Sequence, residues 1–202
     1  MSWMKKETKF NYGSLLINSI GKQFMTEKLI IRTAATGLVI GCVLGMIGTF
    51  VSSATIRNVL WAIDSCGLIL AAALVTPYCF KKRYDVAGAG FFIFAIGQSI
   101  IFSSCAVDLD ESIPAFGTGT CLWALAIAVV SSQKLFPLFV RCTGVIAAAL
   151  FSIVAFSIFT GHPLNALAKP LPFFAYPFFA ATLLGWAWTL SFRLHKIQQA
   201  HE

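Results

Sequence analysis

Charge is what this chain most conspicuously lacks. Only 11% of its residues are Asp, Glu, Lys or Arg, against about 25% in an ordinary soluble domain. That scarcity excludes a water-exposed globular surface of the usual kind. Histidine is also scarce, with three in all: His162 in a polar break, and His195 and His201 near the C-terminus. No two of them share an apolar stretch, so haem ligation by paired membrane histidines is not supported. The six cysteines (Cys42, Cys66, Cys79, Cys105, Cys121 and Cys142) contain no C-x-x-C pair and are scattered through apolar segments. That spacing argues against zinc or a redox couple, and small packing residues are the simpler reading. A Cys105–Cys121 bridge is the alternative, since both lie toward one membrane face. The G-x-S-x-G, H-E-x-x-H and P-loop patterns are missing. No catalytic residue, metal ligand or cofactor is therefore assigned, and an enzyme is not expected.

What the chain has in abundance is apolar length. Of its 202 residues, 58% are hydrophobic, and a membrane helix needs roughly 20 mostly apolar residues. Six segments qualify: 33–54, 58–80, 86–106, 115–132, 136–160 and 173–192. The expected fold is all-α, an integral membrane bundle of six transmembrane helices. Residues 1–32 form a basic cytoplasmic segment, 33–192 the membrane domain and 193–202 a cytoplasmic tail. Within the first segment, Leu16, Ile20 and Phe24 share a helical stripe that Lys22 and Lys28 avoid. This is the pattern of an amphipathic helix lying on the leaflet. The segment is too polar for a secretory leader, and none is expected.

The net charge of +7 is placed at segment ends, which argues against a nucleic-acid partner and for an orientation signal. Lys81, Lys82, Arg83, Lys134, Arg193 and Lys196 join the basic N-terminal segment at one set of ends. The opposite ends hold Arg57 and Lys169. By the positive-inside rule both termini are cytoplasmic, and the expected location is a bacterial inner membrane. Arg193 and Lys196 follow Trp186 and Trp188, the order of an inner-leaflet anchor.

Gly37, Gly41 and Gly45 are spaced four apart, with Gly48 beyond. They form a bare helix face, a glycine zipper, on which another backbone can pack closely. The partner is either another helix of the same chain, a second copy, or another membrane protein.

Two charges interrupt the apolar runs. Asp64 lies about 10 Å into the second span, where a carboxylate is expensive and by default functional. At similar depth fall Gln98, Thr120 and Trp123, an expected polar layer in the outer half. Arg141 lies only about 8 Å from the cytoplasmic surface. It reads as an inner-leaflet anchor rather than a partner of Asp64, their depths differing by about 12 Å. The expected function is a small ion or proton-coupled carrier or channel using Asp64. The alternative is a non-transporting accessory, sensor or assembly subunit that packs through its glycine face. A wet cavity at Asp64 favours the first; a packed Asp64 with an exposed glycine face favours the second.

Overall fold

The computed structural model describes residues 12–199, with side chains from 27 to 192. Over those residues it is all-helical: α1 Tyr12–Phe50, α2 Ala54–Lys81, α3 Asp85–Ser104, α4 Ile113–Ser131, α5 Leu138–Phe159 and α6 Tyr176–Gln199. A single 3-10 turn, Phe173–Ala175, leads into α6. Six helical segments are long and apolar enough to span a membrane, and five coincide with the runs read from sequence to within a few residues. The first ends at Phe50, short of the expected 54. Its helix runs unbroken from Tyr12 through both the expected leaflet segment and the first span. The side chains of Leu16, Ile20, Lys22 and Phe24, and those of Arg193 and Lys196, lie outside the described set.

Packing follows chain order. Each helix lies against its sequence neighbours and α6 returns to α1, closing a ring. Close approaches give the register, and every neighbouring pair is antiparallel. Against α2, Gly37 meets Gly67 while Gly48 meets Trp61. Between α3 and α4, Gly90 meets Val130 and Gly97 meets Gly119. Gly117 meets Ile158, and Gly144 meets Ser131, across α4 and α5. Gly185 of α6 meets Val140 of α5, and Phe50 of α1 packs edge-on to Phe173 at 5.9 Å. The ring thus has a basic end, with the connections 82–84 and 132–137, and an opposite end with 51–53, 105–112 and 160–172. Large apolar side chains such as Ile40, Ile47, Phe92, Leu125 and Phe156 stay exposed on the outside, as lipid contact allows.

Two helix ends carry the same stop. At α5, the His162 N–H donates to the Ser157 carbonyl (2.9 Å), and Gly161 takes φ 90°. At α2, the Tyr84 N–H donates to the Cys79 carbonyl (2.9 Å), and the left-handed position, φ 62°, falls on Arg83. Glycine occupies such a position without steric cost; arginine does not.

Aromatic rings fill the ring of helices from the basic end to mid-height. Trp186, wholly buried, packs on Phe91 at 4.9 Å, Phe94 at 5.8 Å and Phe136 at 6.1 Å. Above it Trp123 stacks on Phe179 at 4.9 Å and meets Phe151 at 5.4 Å. At the basic end Glu27, only 13% exposed, receives Lys81 Nζ at 2.6 Å and Lys82 Nζ at 3.0 Å. This clasp joins α1 to the end of α2.

Candidate functional site

Where the aromatic column stops, a cavity of about 80 Å³ begins. One ordered water needs roughly 10–15 Å³ of such space, so there is room for several. Its walls come from α1, α2, α3, α4 and α6, and it extends to Val107, Leu109 and Ala166 in the connections of the opposite end. Asp64 is the one charged side chain in its lining.

The two features that stand apart in the sequence, the glycine face and Asp64, meet in space. A methyl group placed on Gly45 would come within 2.7 Å of Asp64 Oδ2. On Gly48 it would strike Trp61 Nε1 at 2.6 Å, and on Gly41 the Leu68 side chain at 2.5 Å. Deleting these side chains from α1 makes the room in which the polar and aromatic face of α2 sits. Trp61 then donates from Nε1 to the Gly45 carbonyl at 3.3 Å. The glycine face is covered by α2 of the same chain.

Asp64 is 9% exposed and Oδ1 is fully buried with no hydrogen-bond partner among the described residues. Its neighbour Ser65 accepts a 2.8 Å hydrogen bond from Gln98 Nε2. That bond orients the Gln98 amide and leaves Oε1 buried and unpartnered. Trp123 Nε1 is likewise unpartnered. A buried polar atom left unmade costs about 1–3 kcal/mol; three of the seven such side-chain atoms among the described residues belong to this lining, and the others are on Arg57, Thr120, Ser131 and Trp186. Asn58, Cys42 and Tyr176 also line it; Tyr176 donates its hydroxyl to the Ala166 carbonyl at 2.8 Å.

Of the four residues expected in the polar layer, Asp64, Gln98 and Trp123 line the cavity and Thr120 does not. Thr120 is wholly buried with its hydroxyl unpartnered. It lies between Phe116 and Trp123 on one face of α4, and those longer side chains reach the cavity where the threonine falls short. No hydrogen bond joins Asp64 to Gln98 or Thr120 among the described residues. Ser65, Asn58, Cys42 and Tyr176 were not foreseen. Ser65 and Asn58 sit in the same span as Asp64, but sequence gives no sign of which face of α2 is inward.

Arg141 is held elsewhere. Nε donates to the Ser131 carbonyl at 2.8 Å and Nη2 to the Ser132 carbonyl at 3.4 Å. It therefore caps the C-terminal carbonyls of α4, where a cation also suits the helix dipole, and it makes no ion pair with Asp64 among the described residues. The six cysteines are free thiols; Cys66, Cys121 and Cys142 are exposed on the outside of the bundle. No cluster of three or more His, Cys, Asp or Glu suited to a metal occurs among the described residues. Comparison with protein-family models, with curated proteins and with solved structures finds no match.

Proposed function

We propose that this multi-pass membrane protein is a small carrier that binds a proton or cation at Asp64, entering from the end opposite the basic one. The observation that supports this reading is a buried carboxylate with no hydrogen-bond partner, lining a cavity that no basic side chain shares. A carboxylate kept only for structure is expected to be satisfied by neighbouring donors; the lining offers room for a solute instead. The distribution of Lys and Arg supports an orientation with both termini in the cytoplasm of a bacterial inner membrane.

Alternating access would require α1 and α2 to part at the basic end, where the Glu27 clasp joins them, and the aromatic column to yield. The accessory-subunit reading would use the glycine face, which α2 already occupies; that weighs toward the carrier. The lipid-facing side of α1, with Val39, Val43 and Ile47 exposed, remains free for a second copy or another membrane protein.

The test is proton flux in vesicles loaded with a pH-sensitive dye, under an imposed membrane potential. Wild type is expected to carry protons, and an Asp64→Asn variant with an unchanged elution profile is expected to lose that flux. Equal flux in the two proteins would refute the reading.

A further inference from the structure

We infer that the solute taken by the cavity is a small primary amine with an aromatic body, an inference that rests on reading Asp64 as the solute site. Charge sets the first constraint. One carboxylate and no cationic side chain line the space, so an anion is disfavoured and a cation is matched.

Hydrogen bonding sets the second. An ammonium group brings three donors and no acceptor. The lining residues hold two unpartnered acceptors, Asp64 Oδ1 and Gln98 Oε1, and one unpartnered buried donor, Trp123 Nε1. Gln98 is held with its amide nitrogen on Ser65, 2.8 Å away, which keeps its carbonyl as the free group. Trp61 and Tyr176 have already given their N–H and O–H to the Gly45 and Ala166 carbonyls. The Trp61 ring also has the Arg57 guanidinium 5.6 Å from its centroid.

The third constraint separates an organic cation from a bare ion. A hard metal ion wants about six oxygen ligands. The lining supplies a single carboxylate, and no clustered His, Cys, Asp or Glu set occurs among the described residues. The lining also carries five aromatic rings among aliphatic side chains: Trp61, Phe116, Trp123, Tyr176 and Phe179. Such walls bind a flat apolar body and attract an ammonium group over their faces. A proton alone would make no use of them.

The experiment is calorimetric titration of the purified full-length protein with phenethylamine, with phenethyl alcohol as the neutral isostere and ethylamine as the ring-free control. Saturable phenethylamine binding is expected, at least about tenfold tighter than that of either control. Asp64→Asn is expected to weaken it by a similar factor, and Gln98→Leu by a few-fold. Equal binding of the alcohol, or no saturable binding of the amine, would overturn the inference without any variant having to fold. So would undiminished binding by a well-folded Asp64→Asn protein. Proton flux measured without amine separates the two levels. Asp64-dependent flux with no amine binding leaves the carrier reading standing and removes the amine. Asp64-dependent amine binding with no flux does the reverse.

Discussion

The two ends of this bundle hold their inward charges differently. Toward the basic end two charged groups are partnered: Arg141 bonds the last carbonyls of α4, and Glu27 holds Lys81 and Lys82. Between them the space is filled by the rings around Trp186. Toward the opposite end Asp64, Gln98 and Trp123 keep unpartnered atoms beside an unfilled cavity. The same chain thus satisfies Arg141 and leaves Asp64 open. Unpartnered buried atoms occur in both halves, Trp186 Nε1 and Ser131 Oγ among them; an unpartnered carboxylate beside a cavity occurs only at Asp64 among the described residues. The sealed half behaves as scaffold and the open half as site.

This contrast makes graded predictions. The largest effect is expected from Trp186→Ala, which empties the sealed half. A loss of about 3–5 kcal/mol should appear as a large drop in the thermal midpoint of the detergent-solubilised protein. Arg141→Met comes next. It leaves the Ser131 carbonyl without its donor and should cost about 1–3 kcal/mol, read in the same melt, with proton flux retained at permissive temperature. Glu27→Gln weakens the clasp between α1 and α2. The exposed lysine partners limit the expected loss to about 1 kcal/mol, and high salt should erase part of the difference between variant and wild type. The smallest change is a gain: Arg83→Gly relieves the left-handed turn after α2, seen as a slight rise in midpoint.

Much of the scaffold was legible in the chain. Apolar runs and their polar breaks located five of the six membrane-length segments closely, because length and hydropathy are local properties. The burial of Glu27 was not legible: in sequence it belongs to a polar leader, and the lysines brought against it by α2 are a tertiary contact. The site was legible in pieces. Depth arithmetic from helix rise placed Asp64, Gln98 and Trp123 in one layer, and all three line the cavity. The same arithmetic included Thr120, because depth carries no information on how far a side chain reaches. The glycine face and Asp64 were separate features until the antiparallel register of α1 and α2 set Gly45 against the carboxylate. Register and ring closure are tertiary facts, set by which faces interlock.

The most direct test compares the two intramembrane charges in one experiment: proton flux and thermal stability of Asp64→Asn beside Arg141→Met. The account predicts that Asp64→Asn loses flux and keeps its melting midpoint, while Arg141→Met loses stability and keeps flux. An Asp64→Asn protein that carries protons as wild type does, or that fails only by unfolding, would contradict it.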